Sequence, residues 1–220
     1  MSVVAIVDVG TGNLRSVQKA VERVAIDAGL GWQALISSDP EAIARADKVV
    51  VPGQGAFRDC ATALAGGIAP AIRSQIRKGT PFLGICLGLQ CLFESSEEAP
   101  GCQGLGLFQG TNVRLADNQQ DPASGEPVKI PHMGWNAVEL LGRGHPFLEA
   151  AGGNGTHFYF THSYHAVPSD PSLLAARARH GPFSITAAIA KDNVFASQFH
   201  PEKSHRFGMR LLSNFVERSR

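Results

Sequence analysis

Residues 81–94 read PFLGICLGLQCLFE, an apolar run that belongs in a core and yet carries Cys86 between Gly84 and Gly88. Residues 82–85 have the apolar, β-branched character of a buried strand, and the residues after Cys86 return to a helical pattern. A strand that runs directly into Gly-x-Cys-x-Gly and then into a helix has the arrangement of a nucleophile elbow with cysteine in place of serine. The glycines fit a sharp turn at which neighbouring backbones approach closely. Taken alone, a buried cysteine reads as a small hydrophobe; the strand, turn and helix around it are what favour a nucleophile. The helix opening at the turn would aim its positive end at the sulfur and favour thiolate over thiol. Cys91, five residues on and without glycine neighbours, reads as core packing inside that helix.

Working outward, short apolar runs recur at residues 3–7, 34–36, 48–51 and 194–199, and helical patterns fill 14–28 and 68–78. Strands alternating with helices predict a mostly parallel sheet covered on both faces. Two glycine-bearing turns, Gly10-Thr11-Gly12-Asn13 and Pro52-Gly53-Gln54-Gly55, follow such strands, at the sheet edge where α/β proteins bind ligands. The first lacks the third glycine of a dinucleotide fingerprint, because Arg15 stands there, so it reads as a structural or interface loop. From about residue 105 to 165 the pieces become short and strand-like, with an exposed polar loop over 116–127 and a turn over 152–155. A last helix is expected over about 202–218.

A nucleophile needs a base. His200 follows the last strand and stands two residues before Glu202, and in an extended segment such residues share a side. Glu202 can then hold one ring nitrogen while the other faces the sulfur, with Pro201 stiffening the geometry.

Size and charge narrow the function. The 220 residues suit one α/β domain, and the formal net charge of +1 is scattered, which leaves no footprint for nucleic acid or an anionic membrane. No apolar stretch reaches the length of a membrane span and no secretory signal is visible, so a soluble, cytoplasmic protein is expected. Four cysteines without metal spacing read as free thiols; no metal or cofactor is expected.

The elbow over 81–90, the turn at residues 52–55 and the string Gln198-Phe199-His200-Pro201-Glu202-Lys203-Ser204 together resemble the class I glutamine amidotransferases. The match spans nearly the whole chain and implies one flavodoxin-like α/β domain over 1–220, with a smaller antiparallel β portion. Within that family, residues 8–17 (DVGTGNLRSV), 131–136 (PHMGWN) and 162–165 (HSYH) resemble the glutaminase subunits of imidazole glycerol phosphate synthases. Two departures are Gln54, where valine is frequent in the family, and a longer C-terminal third.

The resemblance implies L-glutamine as substrate and a triad of Cys86, His200 and Glu202. Oxyanion donors are expected at the backbone N–H of Leu87 and at Gln54 or Gly55; glutamine contacts at Gln90, Ser163 and Tyr164. It further implies a heterodimer with a (β/α)₈-barrel cyclase subunit, met at Asn13, Trp135 and Asn136. Three other readings remain beside it: a glutaminase for another synthase (pyridoxal phosphate or anthranilate), a non-catalytic scaffold of the same fold, and a cysteine peptidase on a related fold.

Overall fold

A computed structural model describes residues 2–142 and 145–217. The first half winds as β1 (Ser2–Val7), α1 (Leu14–Asp27), β2 (Trp32–Ser37), α2 (Pro40–Ala44), β3 (Lys48–Gly53), α3 (Phe57–Ala63), α4 (Ala69–Arg77), β4 (Phe82–Cys86) and α5 (Leu87–Gln90). The second half continues with β5 (Phe93–Ser96), β6 (Phe108–Arg114), β7 (His132–Leu140), α6 (Pro146–Ala150), β8 (His157–His162) and β9 (Tyr164–Pro168). It ends with β10 (Leu174–His180), β11 (Phe183–Lys191), β12 (Val194–Ser197) and α7 (His205–Glu217). Arg218, included in the expected last helix, lies outside the described residues.

A nine-stranded sheet in the order β2-β1-β3-β4-β12-β11-β10-β7-β8 forms the centre. Its first five strands pair parallel, in the strand order of flavodoxin-like folds. The other four continue the same sheet in antiparallel pairing, so the smaller antiparallel portion is an extension of the main sheet. Strands β5, β6 and β9 make a separate small sheet.

Strand alternation divides the apolar side chains into two cores. Val50, Leu83 and Ile85 face one cluster, with Val17, Val21 and Val24 of α1 and Leu211, Leu212 and Phe215 of α7. Val49, Val51 and Phe82 face the other, with Phe57, Cys60 and Ile72. Helix α1 buries Val17, Ala20, Val21, Val24 and Ala25, the three-and-four spacing of an amphipathic helix. Each fully buried branched or aromatic side chain stabilises the fold by about 1.5–3 kcal/mol. Cys86 departs from the alternation: it joins the cluster of Leu83 and Ile85 instead of that of Phe82, because the chain turns at this residue.

Candidate active site

Cys86 closes β4 with φ 54° and ψ −104°, a positive φ that a residue with a Cβ adopts at a cost of about 1–3 kcal/mol. The surrounding glycines permit it. A Cβ on Gly84 would stand 2.8 Å from the Gly88 carbonyl oxygen, and one on Gly88 would be driven into the carbonyl of Val51. The two glycines therefore serve close approach of α5 to β3 and β4.

Two expectations at this turn are corrected. Helix α5 is a single turn, and Cys91 caps it instead of lying inside a longer helix. The chain leaves the helix because the carbonyls of Cys91 and Leu92 accept from Leu105 N (2.7 Å) and Leu107 N (2.9 Å), drawing Phe93 into β5. So short a helix contributes little dipole at the sulfur. Nor are all four cysteines free. Cys60 and Cys91, both fully buried, are joined between α3 and the end of α5, while Cys86 and Cys102 remain thiols. Packing brings that pair together across 31 residues of sequence.

Gln54, Gly55, Cys86, Leu87, Gln90, Ser163 and Tyr164 line one cavity of about 390 Å³, so seven of the residues singled out in the sequence meet at one place. Cys86 Sγ lies 4.0 Å from the Thr161 carbonyl oxygen. Gly55, at φ 132°, packs on Thr11, and a Cβ on Gly12 would come 3.1 Å from Gln54 N, so the two glycine turns touch.

His200 and Glu202 complete the site. Nδ1–H of His200 donates to Glu202 Oε1 at 2.8 Å, with both side chains 1–2% exposed. The carboxylate can only accept, which assigns the proton to Nδ1 and leaves Nε2, without a hydrogen-bond partner, as the working nitrogen. The extended segment ends at His200. Pro201–Lys203 forms a 3₁₀ turn, and it is this turn that brings Glu202 back to the ring. Ser204 Oγ donates to the His200 carbonyl (2.6 Å), and His200 N donates to Tyr159 O (2.9 Å), fixing the backbone. Helix α7 abuts the same turn at Gly208, where a Cβ would meet the Pro201 carbonyl. Burial opposes the charged ring. The charge of nearby Cys86, and then the hydrogen bond and charge of Glu202, outweigh it and raise His200 to about 10. The arrangement favours the charged imidazolium at His200.

The remaining expected residues lie outside the cavity. Asn13 caps α1, its side-chain oxygen accepting from Ser16 N (3.3 Å). Trp135 is 45% exposed on β7 and stacks on His205 at 4.8 Å. Asn136 leaves the strand on the opposite face, donates to Arg179 O (2.7 Å) and approaches His132 Nε2 (3.0 Å), so its side chain is engaged within the protein.

The family model of class-I glutamine amidotransferases matches residues 5–219. The chain belongs to this family. Amidotransferases among its relatives include the imidazole glycerol phosphate synthase subunit HisH of Syntrophotalea carbinolica, 47% identical over 96% of this chain and 98% of that one. The HisH subunit of Geobacter sulfurreducens is 44% identical over 99% of both chains. Among solved structures, PurLQS from Thermotoga maritima superposes with a TM-score of 0.72 at 18% identity, covering 98% of this chain and 97% of that one, a likeness of fold.

For this amidotransferase, sequence reasoning missed two groups at the site. Glu98 lines the cavity, its Oε2 accepting from Phe57 N at 2.9 Å; it lies in the stretch after the elbow, which carries no periodic signal. Gln198 reaches the sulfur itself, with Nε2 3.4 Å from Cys86 Sγ, and its place two residues before His200 was the available clue.

Proposed function

We propose that this chain is the glutaminase subunit of an imidazole glycerol phosphate synthase of histidine biosynthesis. It hydrolyses L-glutamine to L-glutamate and ammonia, and it passes the ammonia to a (β/α)₈-barrel cyclase subunit. The single observation that carries the chemistry is the buried His200–Glu202 pair whose free Nε2 and charge answer to the Cys86 sulfur. Full-length identity of 43–47% to HisH subunits supports the choice of synthase over the pyridoxal phosphate and anthranilate systems.

In this reading the Cys86 thiolate attacks the side-chain carbonyl carbon of glutamine. Backbone N–H groups of Leu87 and of Gln54 or Gly55 receive the oxyanion, each such donor being worth about 3 kcal/mol in the barrier. Nε2–H of His200 protonates the departing nitrogen as the C–N bond breaks, leaving a γ-glutamyl thioester on Cys86 and free ammonia. His200, now neutral at Nε2, takes a proton from water; hydroxide displaces the sulfur and glutamate leaves. Glu202 holds the ring and offsets its positive charge in both halves. Gln90, Ser163 and Tyr164 contact the substrate, and the Glu98 carboxylate on the cavity wall has the charge to meet its α-ammonium group.

Ammonia released to water is mostly protonated and no longer nucleophilic, which is the chemical reason for a partner. Exposed Met133 and Trp135 on one face of β7, together with Asn13, are the contact side. The test is glutamine hydrolysis by the chain alone and with a cyclase barrel, with and without the ribulosyl substrate. Stimulation by cyclase and its substrate supports the reading; stimulation only by a different synthase contradicts it.

A further inference from the structure

The sulfur of Cys86 receives a hydrogen bond from a residue to which the proposed mechanism gives no task. Gln198 stands just beyond β12 and is fully buried. Its Nε2 lies 3.4 Å from Cys86 Sγ and its Oε1 lies 3.3 Å from Gln90 Nε2. A side-chain amide can present either end to a neighbour, so its partners fix the direction.

The Tyr164 carbonyl settles it, because a carbonyl oxygen only accepts. Gln90 Nε2 donates to it at 2.8 Å, which turns the nitrogen end of Gln90 toward this corner. The same nitrogen supplies the hydrogen facing Gln198, so Gln198 must present oxygen to Gln90 and nitrogen to the sulfur. Gln90 is itself held: Asn112 Nδ2, fully buried, donates to its carbonyl oxygen at 3.0 Å. The Tyr164 oxygen also accepts from His162 Nδ1 (2.9 Å), and His162 Nε2 in turn takes the Nδ1 hydrogen of His132 at 2.9 Å. Tyr164 O, Gln198 Oε1 and His162 Nε2 each meet a donor, and the free end of the chain is an N–H aimed at sulfur.

We propose that Gln198 is a further catalytic residue, whose side-chain amide donates to the Cys86 sulfur and stabilises it as the attacking anion. The inference rests on Cys86 being the nucleophile. With α5 only one turn long, a fixed amide donor supplies the stabilisation that a helix end would otherwise give. The donor touches the sulfur, not the substrate, so its removal falls on the chemical step more than on glutamine binding.

The experiment compares the chain, in complex with a cyclase subunit, with Gln198→Met and Gln198→Glu. Thiolate absorbance at about 240 nm is measured at neutral pH as the difference from Cys86→Ala, alongside kcat and KM for glutamine hydrolysis. Gln198→Met is expected to lower the thiolate signal and to reduce kcat about tenfold, with KM changed less than about threefold. Gln198→Glu, similar in shape but anionic, is expected to lower both further. Folded variants that keep the full signal and kcat overturn the proposal.

A measurement on the unaltered glutamine guards against variants that do not fold. In ¹⁵N-labelled protein the Gln198 Nε2 proton resonance should shift when Cys86→Ala removes its acceptor, and an unchanged resonance contradicts the proposal. Absence of both Cys86-dependent absorbance and glutamine hydrolysis in the unsubstituted complex would instead count against the glutaminase reading.

Discussion

His200 Nδ1 and Glu202 Oε1 stand 2.8 Å apart with no exposed surface to speak of, 1% for one side chain and 2% for the other. A carboxylate there fixes the ring tautomer and sustains the imidazolium. Glu202→Gln preserves shape but can present an N–H to Nδ1, favouring the tautomer with its proton on the wrong nitrogen. It should lower kcat for glutamine hydrolysis by about 10³–10⁴-fold with little change in KM, as steady-state kinetics would reveal. A loss below about tenfold would show that Glu202 does not orient the ring.

The elbow glycines make a stability prediction. Gly88→Ala forces a methyl into the Val51 carbonyl, and Gly84→Ala sets one 2.8 Å from the Gly88 oxygen; both abut backbone that cannot step aside. Each should cost more than about 3 kcal/mol in urea unfolding, or prevent folding. Gly10→Ala, where nothing lies within 4 Å but φ is +78°, should cost only about 1 kcal/mol.

Buried histidines set the dependence of stability on pH. Burial, and then the charge of His180, depress His132 to about 3, and burial holds His162 well below the ordinary range. The unfolded chain therefore binds protons that the folded chain refuses. Their contribution is complete above about pH 6.5 and is lost as pH falls below it, by up to about 1.4 kcal/mol per pH unit for each ring. His200 has the opposite sign: raised to about 10, it contributes fully below about pH 6.5 and its contribution is lost as pH rises toward 10. Urea midpoints from pH 4 to 10 should describe a maximum near neutrality, with the acid limb flattened in His132→Phe. An acid limb equally steep in that variant would refute the assignment.

Much of this was legible in the sequence, for reasons that can be located. The elbow announced itself because β4 is buried on both sides, so a strand-length apolar run meets the glycines around Cys86 and passes into a helical pattern. Helix α1 showed its three-and-four spacing, and His200-Pro201-Glu202 is local enough for a contact to be inferred. Where the reading went astray, tertiary partners decided. Leu89, Cys91 and Leu92 suit a continuing helix, but the segment at 104–108 captures the carbonyls of Cys91 and Leu92. The resemblance puts Asn136 at the subunit contact with Trp135; in the fold its side chain leaves β7 on the face opposite Trp135 and donates to the Arg179 carbonyl. Helix α2 was passed over in spite of Asp39 capping it and Pro40 opening it, because five residues are too few to show a period.

The exposed face of β7 should respond to substitution without disturbing the chemistry. Trp135→Ala removes a 45% exposed ring stacked on His205 and is expected to weaken binding of the cyclase subunit by about 2 kcal/mol, roughly 30-fold in Kd. Calorimetric titration would measure it, and alkylation of Cys86 in the isolated chain should proceed at its original rate. Unchanged affinity would move the contact surface elsewhere.

The proposed chemistry starts at one sulfur atom, and covalent trapping tests it most directly. The chain, with its cyclase partner present, is treated with an electrophilic glutamine analogue and its peptides are weighed. A single adduct on Cys86, slowed by glutamine and abolished in Cys86→Ala and His200→Asn, is the predicted result. Labelling at Cys102 instead, or labelling of Cys86 that glutamine fails to slow, would contradict it.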